Sequence, residues 1–418
     1  MSHYKPYPVS KDSGVVWLGW VPENWTIGPY KAMIQIENGS DYKAVEADDG
    51  YPVIGSGGPF AFSSKLMYEG ESVLLGRKGT IDKPLYINGA FWAVDTMYWS
   101  IIKPGVHGRF AYYIATTIPF DMYSTNTALP SMTKGLLGSH IVAFPQFEEQ
   151  QAIATHLDRE TFRIDALVEK KTRFIELLCE KRQALITHAV TKGITPNVKM
   201  KASGVEWLGE VPEHWDVVQL RHKAKLESGH TPSRSHPEYW IDCDTPWFTL
   251  ADVWQVRSGE SKFVYDTSEK VSQLGLEKSS ARLLPAGSVF LSRTASVGFS
   301  GIMGVDMATS QDFAVWTCDN SLNNEFLYYI LRGMKGEFDR LMMGSTHKTI
   351  YMPDIEALRV ARPPLEEQKL IVEFLSVQFQ ALSKIIDKSK LSLSLLKERR
   401  SALITAAVTG QIDLRETE

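Results

Sequence analysis

Covalent or metal chemistry needs particular side chains at particular spacings, and this 418-residue sequence holds few of them. Its ten histidines are scattered, and His230 and His236 lie in a loop-like stretch without a paired carboxylate or cysteine. Cys179, Cys243 and Cys318 are far apart and show no Cys-x-x-Cys spacing, so neither a zinc cluster nor a disulfide framework is expected. Gly55-Ser-Gly-Gly58 looks superficially like a cofactor loop. No helix start or acidic residue follows it at dinucleotide spacing, so a turn is expected there. The sequence has no Gly-x4-Gly-Lys-Ser/Thr phosphate loop, no His-Glu-x-x-His pair and no Gly-x-Ser-x-Gly elbow. It also lacks the Asn/Asp-Pro-Pro-Tyr/Phe tetrapeptide with which amino-methyltransferases act on a flipped base. Pro363-Pro364 is followed by Leu365 and reads as a helix start. No catalytic, cofactor-binding or metal-binding residue is expected.

What must then be explained is how the chain is organised. At roughly 100–200 residues per domain, its length points to two to four structural units. Hydrophobic residues at 44% and charged residues at 22% are ordinary for a globular protein. The formal net charge of −4 and a pI near 6.2 do not match a protein that binds nucleic acid through bulk charge. No apolar run approaches 18 residues and the opening MSHYKPYPVS has no signal-peptide core, so a reduced, cytoplasmic protein is expected.

The chain is written twice. Ser13–Trp25 reads SGVVWLGWVPENW and Ser203–Trp215 reads SGVEWLGEVPEHW, identical at ten of 13 positions. Pro145-Gln-Phe-Glu-Glu-Gln150 returns as Pro363-Pro-Leu-Glu-Glu-Gln368, and Arg182-Gln-Ala-Leu-Ile-Thr-His-Ala-Val-Thr191 as Arg400-Ser-Ala-Leu-Ile-Thr-Ala-Ala-Val-Thr409. Between these anchors, Ser72–Lys78 faces Ser288–Thr294 and Phe110–Ile114 faces Phe326–Ile330, both at an offset of 216. A period near 200 residues is too long for a solenoid and indicates a duplicated domain pair.

In the 47-residue stretches 148–194 and 366–412, acidic residues just after a proline suit a helix N-terminus. Gly193 and Gly410 read as stops. Each helix is predicted at about 40–45 residues and roughly 60–65 Å. Ile153, Leu157, Ile164, Leu167, Phe174, Leu178 and Leu185 mark an apolar seam, matched by Ile371, Leu375, Leu382, Ile385, Leu396 and Leu403. Neither helix can bury such a stripe alone, so the two are expected to pack together antiparallel. The segments 26–143 and 216–361 carry Gly, aromatic and β-branched runs with short helical patches. The expected fold class is α+β: two α+β domains joined by two long helices in an antiparallel coiled coil, with pseudo-twofold duplication. The divisions expected are an anchor over 1–25, a first domain over 26–143 and a central helix over 144–194. A linker with the repeated anchor over 195–215, a second domain over 216–361 and a helix with tail over 362–418 follow.

This arrangement closely resembles the specificity subunit of type I restriction–modification systems. The resemblance is carried by Trp-Leu-Gly-x-Val-Pro-x-x-Trp at 17–25 and 207–215, by the Pro-x-x-Glu-Glu-Gln helix starts and by Arg-x-Ala-Leu-Ile-Thr-x-Ala-Val-Thr at 182–191 and 400–409. Ser228-Gly-His-Thr-Pro-Ser-Arg234 is also similar to a Gly-x-Thr-Pro segment of its target-recognition domains. The resemblance implies a non-catalytic subunit whose two domains each read one half of a split double-stranded DNA site. It implies two modification (methyltransferase) subunits docked on the helices, and two motor–nuclease (restriction) subunits as further partners. S-adenosylmethionine, ATP and Mg2+ belong to those partners and not to this chain. Unequal domains imply an asymmetric site. The alternatives are an assembly scaffold that no longer reads DNA, a specificity subunit for a methyltransferase without a nuclease, and a fused methyltransferase or nuclease that the missing motifs disfavour.

On that reading, contacts are sought among basic or amide residues in Gly/Ser/Thr-rich loops, because each variable segment holds fewer basic than acidic residues: nine against ten in 26–143, 15 against 18 in 216–361. The candidates after the first strand-like run are Arg77, Lys78, Gly79 and Thr80, with Arg293, Thr294 and Ser296 in the equivalent place. Thr231, Ser233 and Arg234 sit in the Thr-Pro loop. His347, Lys348 and Thr349 follow Gly344-Ser-Thr, and Asn126, Thr127 and Ser131 occupy the similar place in the first copy. The alternative for each arginine is a structural one that satisfies loop carbonyls. Trp17, Trp25, Trp207 and Trp215 are expected to pack each domain against its helix rather than to stack on DNA.

Overall fold

The structure, a computed structural model, describes residues 4–124, 131–342 and 348–415. It divides into one unit of Met1–Thr172 with Leu391–Glu418 and a second of Arg173–Lys390. Each is an α+β body to which both long helices contribute a half.

In the first unit seven strands form one sheet, in the order Ile34–Asn38, Met97–Ile102, Tyr68–Gly76, Leu85–Ala93, Tyr51–Gly55, Gly58–Ser63, Glu46–Ala47. Val73-Leu74-Leu75, near the end of strand Tyr68–Gly76, is an unbroken apolar run because both faces of the strand are covered there. Val73 and Leu75 enter the core under helix Gly108–Ala115, while Leu74 enters a second core with Val53, Ile54 and Phe91. The expected turn at Gly55–Gly58 closes the hairpin between two of these strands.

The second unit keeps the same first strands: Ala224–Ser228, Phe313–Cys318, Val289–Ser292 and Ser300–Met303. Val289 and Leu291 again face one core and Phe290 the other. Here the chain bends at 304–307 before strand Ala308–Thr309. A separate sheet, Glu269–Val271, Thr245–Phe248, Ala308–Thr309, replaces the continuous one.

The central helix spans Phe147–Lys192 and the C-terminal helix Leu365–Val408. Both are followed by a glycine at positive φ, Gly193 and Gly410. Within the first unit, Ile153 and Leu157 share a core with Leu403, Ile404 and Ala407, and Arg400 holds Asp165 through Nε and Nη2 at 2.8 and 3.1 Å. Within the second, Leu178 and Ile186 share a core with Phe379, Leu382 and Ile386. The early part of one helix thus packs on the late part of the other in each unit, which makes the pair antiparallel.

The seam departs from the expected one at three residues: Leu167, Phe174 and Ile385 are 47%, 46% and 43% exposed. Ile186, Ile386 and Ile404 are buried as well, each one residue beyond an expected seam residue (Leu185, Ile385 and Leu403). A straight helix drifts about 20° per heptad from a 3.5-residue repeat, so a strict heptad does not hold over six heptads.

The repeated anchors are hairpins. Ser10–Asp12 pairs with Trp20–Pro22, and Met200–Ala202 with Glu210–Pro212, so the second hairpin starts inside the stretch expected to be linker. Trp25 and Trp215 are fully buried. Their indole N–H groups donate to Glu149 and Glu367, the second glutamates of the helix-start motif, at 3.0 and 3.1 Å. Trp17 and Trp207 are more open but donate to the carbonyls of Ile141 and Arg359.

The glutamine that ends the motif is buried in both copies. Gln150 donates to the Pro145 and Gly105 carbonyls and accepts from the His107 N–H. Gln368 donates to those of Pro363 and Ser321 and accepts from the Asn323 N–H. One amide side chain ties the helix start to the loop before helix Gly108–Ala115 or Asn324–Gly333.

Candidate nucleic-acid interface

At one edge of each unit a two-residue turn joins two sheet strands; two other loops bond to it, and a third bonds to the second of these. In the first unit the turn is 94–97, closed by Met97 N–H donating to the Val94 carbonyl at 2.9 Å. Gly39 N–H donates to Met97, Ser40 N–H to Ala93, and Arg77 and Lys78 N–H to Thr96. Met132 N–H then donates to the Arg77 carbonyl at 3.1 Å.

The second unit repeats this frame. Its turn is 310–313, with His230 N–H donating to Thr309, Arg293 N–H to Asp312, and Ile350 N–H to Arg293, at 3.0, 2.9 and 2.9 Å. Val94 N–H bonds Ile54, and Ser310 N–H bonds Phe248. The recurring bonds coincide at offsets of 190 at Ser40 and His230, 194 at Ile54 and Phe248, 216 within the turn and the arginine loop, and 218 at Met132 and Ile350.

Two glycines make the close approach possible. A Cβ on Gly39 would lie 2.0 Å from the Val94 carbonyl oxygen, and one on Gly229 2.1 Å from that of Thr309.

The two repeated arginines do the same thing. Arg77 Nη1 donates to the Asp95 carbonyl at 3.3 Å, with its guanidinium 5.8 Å from the Tyr98 ring centre. Arg293 Nε donates to the Gln311 carbonyl at 3.1 Å. Both side chains therefore hold the turn tip.

The remaining candidates separate into groups. Lys78 is exposed and bridges Ser131 across a short antiparallel contact, which brings Gly79 and Thr80 to the same corner. In the second unit Thr294 donates to Asp312 Oδ1 at 2.5 Å, Ser296 N–H bonds the Thr294 carbonyl, and Thr231 donates to Gln311 Oε1 at 2.7 Å. Lys348, exposed, and Thr349 lead into Ile350 beside Arg293.

Ser233 and Arg234 are held elsewhere. Arg234 pairs with Glu269 and stacks on Trp240, 3.7 Å from the ring centre, and Ser233 bonds Ser235. Of the three candidates in the Thr-Pro loop only Thr231 bonds to the turn. Asn126, Thr127 and His347 lie outside the described residues.

Sequence reading missed Asp95, Gln311 and Asp312 at the tips and Gly39 beneath the first. The signal was present: position 95 falls on 311 at the offset of 216 already set by Ser72 and Ser288, and Gly39 on Gly229 at the anchor offset of 190. Asp41 and Asp95 match Arg77 and Lys78 in number, and Asp312 stands against Arg293 and Lys348, so among the described residues neither edge is a strongly basic patch. Among the described residues no three His, Cys, Asp or Glu are grouped to hold a metal ion, and no helix is long and apolar enough to cross a membrane.

Comparison with known proteins bears on what this edge is for. The family model described as the type I restriction modification DNA specificity domain matches residues 22–176 and again 212–393. The type I restriction enzyme MjaIX specificity subunit of Methanocaldococcus jannaschii is 26% identical over 171 residues, 40% of this chain and 39% of that one. The putative MjaX specificity subunit of the same organism is 24% identical over 279 residues, 66% of this chain and 60% of the relative. The chain thus spans less than two thirds of the length of these relatives. A chain from a structure addressing complex assembly and conformational transition of the type I restriction–modification system superposes with a TM-score of 0.71. It is 15% identical, and the match covers 94% of this chain and 99% of that one. That likeness is one of fold.

Proposed function

The chain belongs to the type I restriction modification DNA specificity family, whose members are non-catalytic specificity subunits, and from that premise we propose that it reads an asymmetric, bipartite double-stranded DNA site. Each domain reads one half-site with its turn edge. The observation that carries this is the repeated loop frame. Most of the main-chain bonds of the first frame recur in the second, while the side chains displayed on them differ (Asp95 against Gln311, Lys78 against Thr294). A common frame with exchangeable side chains is what two readers of different sequences require. The unbroken sheet of one unit and the divided sheet of the other add to the asymmetry.

In this reading the long helices scaffold two methyltransferase subunits and two restriction subunits in the cytoplasm. S-adenosylmethionine, ATP and Mg2+ are bound by those partners. Because neither edge is basic, the partners supply much of the phosphate contact, and affinity for DNA is a property of the complex.

The test is methylated-base mapping in cells expressing the chain with its modification subunit, against the modification subunit alone. A split, asymmetric motif that appears only with this chain is expected. A palindromic motif would refute the asymmetric reading. No new motif from an assembled, active complex would leave a scaffold that does not read DNA.

A further inference from the structure

The geometry points to Gln311 and Asp95 as the base-reading side chains of the two domains, an inference that rests on the DNA-reading function proposed above and names the residues that perform it. Both occupy the first tip position of the turn to which the other loops bond, and both are exposed where their neighbours Ser310 and Phe313, or Val94 and Met97, are buried. The turn that carries each of them is held at several points. The carbonyl of the tip residue accepts from the arginine side chain, and the next carbonyl accepts from the arginine N–H. The strand residue before the turn accepts from the glycine loop. A reader must be placed to within a fraction of an ångström, and these ties place each tip.

The side-chain chemistry then decides what is read. A carboxylate at position 95 is repelled by a phosphate, and the uncharged amide of Gln311 gains no ionic attraction to one. The cations at the same place, Arg77 and Arg293, are turned back onto the tip carbonyls and position the turn. Thr231 donates to Gln311 Oε1 at 2.7 Å, which orients the amide. One Oε1 lone pair and both Nε2 hydrogens remain. An acceptor beside a donor on one amide matches the N6 amino group and N7 of adenine in the major groove. Asp95 offers acceptors only and matches the N4 amino group of cytosine. The second domain therefore reads an adenine through Gln311, and the first reads a cytosine through Asp95.

The experiment uses the complex of the whole chain with its modification subunits and duplexes varied one base pair at a time across the mapped motif. The near-isosteric Gln311→Glu and Asp95→Asn preserve size at exposed positions, and Gln311→Ala accompanies them. Wild-type complex is expected to favour adenine at one position of one half-site by about 5- to 150-fold, the range for a good bidentate pair. Gln311→Ala abolishes that preference at that position alone, and Gln311→Glu moves it toward cytosine. Asp95→Asn moves a cytosine preference toward adenine in the other half-site. Unchanged preferences in variants that still bind the motif would overturn this assignment while leaving the DNA-reading function intact. A wild-type complex with no motif to vary would overturn both.

Discussion

The indole N–H of Trp215 donates to Glu367 Oε1 at 3.1 Å, joining a fully buried anchor residue to the first turn of the C-terminal helix. Trp25 and Glu149 repeat the bond at 3.0 Å. A buried N–H left without an acceptor costs about 1–3 kcal/mol. Glu367→Ala is therefore expected to destabilise the second unit by that amount, and Glu367→Gln, which keeps an acceptor, by less. Glu149 also accepts from the buried Tyr7, whereas the second partner of Glu367, His214, is half-exposed; Glu149→Ala therefore strands two buried donors and is expected to cost more than Glu367→Ala. Denaturant unfolding of the three variants checks the order.

The left-handed residue of the loop after the first core strand gives a second prediction. It is Gly79, at φ 80°, in the first unit and Ala295, at φ 52°, in the second. An L side chain there costs roughly 1–2 kcal/mol, partly offset by the extra freedom glycine gives the unfolded chain. Ala295→Gly is expected to stabilise the second unit by about 0.5–1 kcal/mol. Gly79→Ala is expected to destabilise the first by a similar amount. Equal effects of the same sign would show that the two loops are not equivalent.

The first unit carries an acid-sensitive packing that the second lacks. His140 is buried against Trp17 and bonds the Tyr123 hydroxyl, and burial holds its pKa below the ordinary histidine value. His156, bonded to Tyr4, is lowered by burial and by Arg159. At an offset of 218 the second unit has Leu358 and Phe374 instead. A base whose folded pKa is depressed binds fewer protons folded than unfolded. Its neutral packing is fully stabilising above about pH 6.5, and that stability is lost as pH falls through this value. His140→Leu is expected to raise the melting temperature relative to wild type more at pH 5.5 than at pH 8. The same difference at both values would remove His140 as a cause.

Much of this was legible in the amino-acid order because the duplication supplied an internal comparison. The helix starts at Glu148 and Glu366, the stops at Gly193 and Gly410 and the core strands around Val73 and Val289 follow from local rules of period and capping. The seam residues Leu167, Phe174 and Ile385 did not, since helix drift accumulates with length. The turn tips were hidden for a different reason. Asp95 and Gln311 sit in two-residue turns without glycine, between apolar strands. Their importance comes from loops up to 80 residues away that bond to them, as Thr231 does to Gln311. A basic residue such as Arg234 drew attention through its charge, yet Glu269 and Trp240 hold it. Such pairing depends on tertiary neighbours that no local pattern reports.

Arg293 separates positioning from phosphate anchoring. Its main chain links Asp312 to Ile350, and its Nε holds the Gln311 carbonyl at 3.1 Å. Arg293→Ala leaves the two main-chain bonds and removes the side-chain one, so stability is expected to fall by only about 0.5–1.5 kcal/mol. The turn tip then loses one of its ties. In the complex, discrimination is expected to drop throughout the half-site read by the second domain, with the other half-site unchanged. A phosphate anchor behaves differently. Losing one weakens binding to all sequences alike and reduces the slope of log affinity against log salt by about one. Salt titration of wild-type and Arg293→Ala complexes is expected to give equal slopes, and a slope lowered by one would assign Arg293 to the DNA backbone. Arg293→Lys sharpens the distinction, because a lysine keeps the charge but cannot reproduce the planar Nε–H directed at Gln311. It is expected to behave like alanine in discrimination and like wild type in slope.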